Sequence, residues 1–288
     1  MVVKTFIKRL IPDSLYLKYR FKKMMGYPLN LRNPKTFDEK LQWLKLYNRN
    51  PLYTTLVDKY AVKKWVADKI GEQYVIPTLG VWNRFEDIDF GKLSNQFVLK
   101  CTHDSGGLVI VKDKSKLDFM AARQKITASL NRNFYWQSRE WPYKNVFPRI
   151  IAEPYMEDST YKELRDYKFY TFNAEPKYLL IAKGRQNNNK TFDYFDMNFN
   201  HINLQDERVP NSTTIPEKPI CLEEMKKISK ILSEGIPHVR VDFYEINGKV
   251  YFGEMTFFDD GGFMKAKPIS WEKEWGDLIE LPERRCKH

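Results

Sequence analysis

The sequence has few of the features that mark several large classes of protein. No apolar run approaches the roughly 18–20 residues that a membrane-spanning helix needs, so the chain is not read as an integral membrane protein. Cysteine occurs three times in 288 residues, at Cys101, Cys221 and Cys286. An odd number at wide spacing fits neither a disulfide framework nor a zinc site, and a reducing compartment is the simple expectation. Glycine is scarce at 13 residues, which excludes collagen-like and glycine-rich low-complexity chains. Of the four histidines, His201, His238 and His288 have no serine or cysteine partner at a recognisable spacing, so nothing points to a histidine-dependent hydrolase.

What is present describes a folded chain. Hydrophobic residues make up 42%, aromatic residues 15% and charged residues 30%, enough to bury a sizeable core at this length. On a prior of roughly 150 residues per domain, the length allows two domains or one large one. The formal net charge is +11, which favours an anionic partner: a nucleic acid, a lipid headgroup, a nucleotide or an acidic polysaccharide.

The first 31 residues interleave Lys4, Lys8, Arg9, Lys18, Arg20, Lys22 and Lys23 with Phe6, Leu10, Leu15 and Phe21. They contain no signal-peptide core. They suit either a helix lying on an anionic membrane surface or a basic helix packed on the body of the protein. Phe37, Leu41 and Leu44 recur at helical spacing behind Thr36 and Glu39, a capping box. A second helix is expected from Leu52 through Leu56, Tyr60, Val66 and Ile70, stopped by Gly71.

Beyond Pro77 the pattern shortens. Phe97 to Leu99 and Leu108 to Val111 read as strands around Asp104-Ser105-Gly106-Gly107, and residues 119–131 as a helix. A second strand-rich region is expected to begin at Ile150 and Ile151. It contains strands over Lys168 to Phe172 and Tyr178 to Ala182, a polar loop at Asn187-Asn188-Asn189, and a helix from Leu222 to Ile236. A strand pair, Val239 to Ile246 and Val250 to Phe257, ends the pattern. Strands followed by a helix, twice over, is an α+β arrangement.

Two features carry chemistry. In the last strand pair Arg240 and Asp242 share one face, and Glu254 and Thr256 share a face of the partner strand. Two carboxylates beside an arginine can hold magnesium and steady a phosphate. A strict two-residue turn at Asn247-Gly248 would pair Asp242 with Gly253 and turn Glu254 to the opposite face. The reading therefore predicts a three-residue loop with Gly248 left-handed, shifting the pairing by one. The second feature is Lys100 followed by residues 104–107, a strand lysine before glycines that let backbone amides approach phosphate oxygens. The Walker spacing is absent.

Taken in order, Asp58-Lys59, Lys100 with its glycine loop, Ile151-Ala152-Glu153-Pro154-Tyr155, Asp166-Tyr167-Lys168, Arg240-Val241-Asp242 and Glu254-Met255-Thr256 resemble the ATP-grasp superfamily. Phe37-Asp38-Glu39-Lys40-Leu41-Gln42-Trp43-Leu44, residues 100–107 and Glu254-Met255-Thr256-Phe257 are similar to its teichuronopeptide-biosynthesis (TupA-like) branch, over roughly residues 30–282.

The resemblance implies two α+β lobes with ATP between them: residues 91–149 as the first lobe and residues 150–288 as the second, with the metal site. A basic segment over residues 1–30 and a helical region over residues 31–90 would precede them. It places Lys59 and Lys100 on the α- and β-phosphates, with Asp104, Ser105, Gly106 and Gly107 as a flap. Glu153, Pro154, Tyr155 and Met156 fall at the adenine edge and Asp166 at the ribose. Arg240 falls on the transferred phosphoryl group, and Asp242 and Glu254 on Mg2+. Thr256 stands where the superfamily commonly has asparagine. Lys168 and Lys183 are further candidate phosphate or acyl-group contacts. His103 is a candidate base or acceptor contact, with a turn-stabilising role as the alternative. Tyr135, Trp136, Trp141 and Tyr143 suit core packing or an acceptor glycan.

The implied activity is that of an ATP-dependent carboxylate–amine ligase working through an acyl-phosphate. It would join an amino acid to a uronic-acid carboxyl of a bacterial capsular or cell-wall polysaccharide, or of its sugar-nucleotide or lipid-linked precursor. The expected place is the cytoplasm, at the inner face of the membrane if residues 1–30 bind it. The alternatives are a glycosyltransferase of the same pathways, whose only Asp-x-Asp would be Asp87-Ile88-Asp89, and a nucleic-acid-binding module, for which no fold signature is present.

Overall fold

The computed structural model describes residues 9–184 and 189–283. Lys4, Phe6 and Lys8 of the basic segment, Asn187 and Asn188 of the polar loop, Cys286 and His288 lie outside the described residues. The described chain forms two compact units, one over residues 51–157 and one over residues 1–50 with 158–288. This division differs from the bounds of 1–30, 31–90, 91–149 and 150–288 that the resemblance implies.

In the unit over residues 51–157, β1 (Gly80–Trp82), β2 (Phe97–Cys101), β3 (Leu108–Val111) and β4 (Ile150–Pro154) form an antiparallel sheet in the order β1-β4-β2-β3. Phe97, Leu99 and Cys101 alternate inward along β2 and meet Ile150 and Ala152 of β4 and Ile126 of the helix Phe119–Leu130. The strand at Ile150 thus closes the first sheet, through Leu99 opposite Ala152 and Cys101 opposite Ile150, rather than opening the second.

The predicted helix from Leu52 to Ile70 is two, α3 (Leu52–Val57) and α4 (Ala61–Ile70), after α1 (Asp13–Met25) and α2 (Phe37–Tyr47). Asp58 is extended between them, and its carboxylate accepts from the Tyr60 and Ala61 amides at 2.9 and 3.3 Å. A capping aspartate outcompetes one further turn of helix, which periodicity cannot reveal. Lys59 therefore sits at a break and not on a helix.

In the other unit, β5 (Asp166–Phe172), β6 (Glu175–Lys183), β7 (Thr191–Asp196), β9 (His238–Ile246) and β10 (Lys249–Thr256) form an antiparallel sheet in the order β10-β9-β5-β6-β7. The short strand β8 (Gln205–Asp206) pairs with β11 (Ala266–Lys267). The helix Leu222–Leu232, a turn shorter than expected, buries Leu222, Met225, Ile228, Ser229 and Leu232 as one stripe.

On β5 and β9 the partners Lys168–Asp242, Tyr170–Arg240 and Phe172–His238 share a face. One end of that face is aromatic. Phe37 of α2 and Trp275 of the helix Ser270–Leu278 pack on Phe172, His238 and Tyr170, with centroids 4.6–6.4 Å apart. The capping box at the head of α2 forms as expected, Thr36 and Glu39 each binding the other's backbone amide.

Glu272 and His238 are buried titratable groups at this packed end, beside the buried Asp38 carboxyl, which burial and then Glu272 raise above its ordinary value. Burial raises the Glu272 carboxyl to about 7 and lowers the His238 imidazole to about 4. Between about 4.5 and 7 the folded protein keeps a proton on Glu272 that the unfolded chain has lost, so this contribution to stability falls as pH rises. His238 acts oppositely: the unfolded chain takes up a proton as pH falls through about 6.5 while the folded protein does not, so its contribution is lost towards pH 4. Glu272→Gln removes the first effect and relieves the Asp38 carboxyl of a neighbouring charge, while the His238 effect stays. Thermal unfolding across pH 4.5–7 should show the variant gaining on the wild type as pH rises, and a pH-independent difference would contradict the assignment.

Candidate functional site

The unit over residues 51–157 gathers lysines around one buried carboxylate. On β2 the inward Phe97, Leu99 and Cys101 leave Val98 and Lys100 on the opposite face, where Val98 opposes Glu153. Glu153 takes Lys63 and Lys100 on its two oxygens, each at 2.5 Å. Burial alone would raise its carboxyl, but the two ammonium groups outweigh burial and hold it below the ordinary value. Lys63 also donates to the Ile76 carbonyl at 2.7 Å. Its position one turn beyond the helix break was not singled out in the sequence, because lysines are common in this chain.

Lys59 donates its backbone amide to Thr102 O at 3.0 Å and its ammonium to Asp104 O at 2.5 Å. The loop at 104–107 is pinned from inside. The Asp104 carboxylate is buried and accepts from the Ser129 hydroxyl, from Arg132 at 2.6 Å and from the Gly107 amide at 3.3 Å. A Cβ on Gly107 would fall 2.2 Å from Ser129 Oγ, so glycine is required there by space. Only Ser105 and Gly106 form an exposed tip, with Gly106 left-handed at φ 106°. Of the expected flap residues, the Asp104 side chain is therefore committed to the loop itself. Arg132, which also donates to Ser105 O at 3.1 Å, is a partner the sequence did not reveal.

His103 is buried, with Nε2 at 3.1 and 3.0 Å from the Ser129 and Arg132 carbonyls, and this geometry gives it the turn-stabilising role. At the end of β4, Pro154 opposes Phe97, and Tyr155 donates to Glu157 at 2.6 Å with Lys112 over its ring. Met156 is half-buried. The aromatic group packs largely on itself and on Tyr53, Trp141 stacking on Tyr53 and Tyr135 meeting Trp136 edge-on. Arg139 lies over the Trp136 ring.

In the other unit the final hairpin has a two-residue turn, Ile246 opposing Lys249, with Asn247 and Gly248 both left-handed. Gly248 is left-handed as expected, but the predicted three-residue loop does not form. The one-residue shift occurs five residues later, as a bulge at Gly253 between Phe252–Phe243 and Glu254–Asp242. An Asn-Gly pair satisfies the tight turn, and the glycine at 253 absorbs the extra residue. A Cβ there would come within 3.0 Å of Asp242 O. The bulge puts Lys168, Asp242 and Glu254 in register across three strands, with Tyr170, Arg240 and Thr256 beside them.

Arg240 is the hub of this cluster. It grips Asp242 through Nε and Nη2 at 2.7 and 2.8 Å, binds Asp259 through Nη1, and reaches Thr256 and Glu254 at 3.1 and 3.4 Å. Lys168 donates to Asp242 and lies 3.4 Å from Asp166. Tyr170 donates to the second Asp259 oxygen at 2.5 Å. Burial would raise both Asp242 and Asp259, but Arg240 brings each below the usual carboxylate range, with Lys168 and Tyr170 assisting. Asp259 was not anticipated. The only signal was an Asp-Asp-Gly-Gly turn three residues after Thr256. Lys183 lies apart from the hub's ion pairs and donates to Thr214 O at 3.0 Å.

Among the described residues no group of three or more histidine, cysteine, aspartate or glutamate side chains is arranged as a metal site. The donor chemistry nevertheless fits Mg2+. Asp242, Glu254 and Thr256 carry hard oxygens on one face, Asp242 is held ionised by Arg240 and Lys168, which engage both its oxygens, and the Glu254 side chain is 43% exposed. Among the described residues no helix is long and apolar enough to cross a membrane.

The Arg-x-Asp pair on β9 and Glu254 on β10 resemble those of an ATP-grasp enzyme, with Thr256 where asparagine is common. The family model described as TupA-like ATP-grasp matches residues 39–280, and the chain belongs to that family, whose cofactor is ATP. No curated protein matches the sequence. Among solved structures, the D-alanine–D-alanine ligase from Bacillus anthracis complexed with ATP is similar at 17% identity and a TM-score of 0.41, over 70% of this chain and 54% of that one. The D-alanine–D-alanine ligase from Helicobacter pylori is similar at 14% identity and a TM-score of 0.44, over 84% and 69%. An L-amino acid ligase from Bacillus licheniformis is similar at 13% identity and a TM-score of 0.44, over 87% and 56%. The chain thus spans little more than half the length of the first of these.

Glu153 is the shared counter-charge of two lysines, and removing it leaves both ammonium groups without it. Glu153→Leu should cost about 3–5 kcal/mol in urea unfolding. A loss below about 0.5 kcal/mol, the range of an ordinary surface change, would show that the cluster is held by other contacts.

Proposed function

We propose that the protein is an ATP-dependent ligase that joins a carboxylate to an amine, the carboxylate being a uronic acid of a bacterial surface polysaccharide or its precursor and the amine an amino acid. The observation that carries the reading is the Gly253 bulge, which turns Glu254 onto the face of Asp242 and Arg240 in a chain of the TupA-like ATP-grasp family. The net charge of +11 suits an acidic acceptor.

In this reading Lys59 and Lys100 meet the α- and β-phosphates of ATP, under backbone amides of the Ser105-Gly106 tip. Glu153, Pro154, Tyr155 and Met156 border the adenine and Asp166 the ribose. Asp242, Glu254 and Thr256 would hold Mg2+, which when bound supplies charge neutralisation on the phosphates. The acceptor carboxylate oxygen attacks the γ-phosphorus, the bond from phosphorus to the β–γ bridging oxygen breaks, and ADP leaves. Arg240 stabilises the charge on the transferred group. The amine nitrogen then attacks the acyl carbon and loses a proton, and phosphate leaves with the carboxylate's former oxygen. No protein nucleophile is required.

Contact with the inner face of the membrane is part of the same reading. It is supported by Leu15 and Tyr19, 58% and 69% exposed on α1 beside Lys18, Lys22 and Lys23. The glycosyltransferase alternative has no site of its own, since Asp87 and Asp89 are engaged by Arg84 and Lys92 at the surface.

Thermal denaturation with ATP and Mg2+ tests the nucleotide site. At 100 times its dissociation constant, a ligand that binds only the native state stabilises by about 2.7 kcal/mol. A magnesium-dependent rise in Tm that Asp242→Asn abolishes is the expected result. A rise with a sugar nucleotide and none with ATP would overturn the reading.

A further inference from the structure

The loop that carries Asp259 adopts a costly conformation. Asp260, Gly261 and Gly262 are left-handed in succession, with φ of 49°, 65° and 66°. For Asp260 this backbone is strained, and such a run persists only where its surroundings enforce it. Its surroundings are side chains of α2. Gln42 Nε2 donates to the Gly262 and Gly261 carbonyls at 2.5 and 3.2 Å, and Lys45, one turn on, donates to the same Gly261 carbonyl and to Gln42 Oε1 at 3.0 Å. Lys45 is buried between the rings of Phe258 and Phe263, its ammonium 5.4 and 5.2 Å from their centroids. A Cβ on Gly262 would fall 2.5 Å from Gln42 Nε2. The far side of the loop is held by Arg208, which binds Asp260 and chelates Asp206.

A buried ammonium between two phenylalanines is an expensive way to fill space, because an aliphatic side chain would pack there without desolvating a charge. Besides its attraction for the buried Asp38 carboxyl, the ammonium supplies a donor aimed at a backbone carbonyl that the left-handed run turns inward. That carbonyl lies two residues from Asp259, whose carboxylate binds Arg240 and Tyr170. We propose that Gln42 and Lys45 are positioning residues, which fix the loop at 258–262 so that Asp259 holds the Arg240 guanidinium against the transferred phosphoryl group. The inference rests on the reading of Arg240 given above. It also assigns a task to the Gln-x-x-Lys part of α2, which no nucleotide contact explains.

The test uses Lys45→Met, Lys45→Arg and Gln42→Leu in the full chain. Hydrogen exchange of the 257–263 amides should quicken about tenfold in Lys45→Met and Gln42→Leu and remain near the wild type in Lys45→Arg, which keeps a donor for Gly261 O. ADP release should fall about 10- to 100-fold in kcat, while KM for ATP stays within about threefold. In a double-mutant cycle, the effects of Lys45→Met and Asp259→Asn on the unfolding constant should be non-additive by about fivefold. Unchanged exchange, unchanged kcat with faster exchange, or additive effects would each overturn the proposal. If the wild type releases no ADP with any carboxylate and amine, the ligase reading fails, and exchange and the cycle alone decide the clamp.

Discussion

A buried guanidinium held between two carboxylates is the constraint on which the second sheet depends. Arg240 is almost enclosed, and an isolated charge there would cost several kcal/mol in lost hydration. Asp242 and Asp259 repay that cost only at close range and in the plane of the guanidinium, so the positions of three chain segments become linked. β9 places Arg240 and Asp242 two residues apart on one face, β5 adds Lys168 and Tyr170, and the loop after β10 adds Asp259. The aromatic end of the same face, around Phe172, His238 and Trp275, gives the charged end a rigid base.

Such clusters give little net stability compared with an apolar core of the same volume. Their presence is better explained by electrostatic preorganisation, in which donors and charges are fixed before a substrate arrives and need no rearrangement during reaction. The Glu153 cluster follows the same logic with the signs reversed, one carboxylate fixing two lysines. In each case the charge expected to meet substrate is held by a residue of opposite charge.

The sequence made these clusters legible to different degrees. Alternation along β9 put Arg240 and Asp242 on one face, and the capping box at Thr36 and Glu39 located α2, because both signals are local. The requirement that Glu254 oppose Asp242 was also readable, since a strict turn would have sent it away. The device that meets it was not, because a glycine in a strand does not announce whether it bulges, and the shift was expected in the turn. Asp58 concealed a helix break, since its capping bonds compete with a periodicity that runs unbroken through Leu56 and Val66. Asp259, Lys63, Arg132, Gln42 and Lys45 were out of reach for a different reason. Their roles come from contacts across 19 to 220 residues of chain, in a sequence where lysine and aspartate are common.

The central claim is that the carboxylate is activated by direct phosphorylation. The measurement that meets it most squarely is the fate of isotopically heavy oxygen placed in the carboxylate substrate. Phosphate released with ADP should carry one heavy oxygen, and its appearance should depend on ATP, carboxylate and amine together. Unlabelled phosphate, or turnover that consumes a sugar nucleotide and leaves ATP intact, would contradict the account.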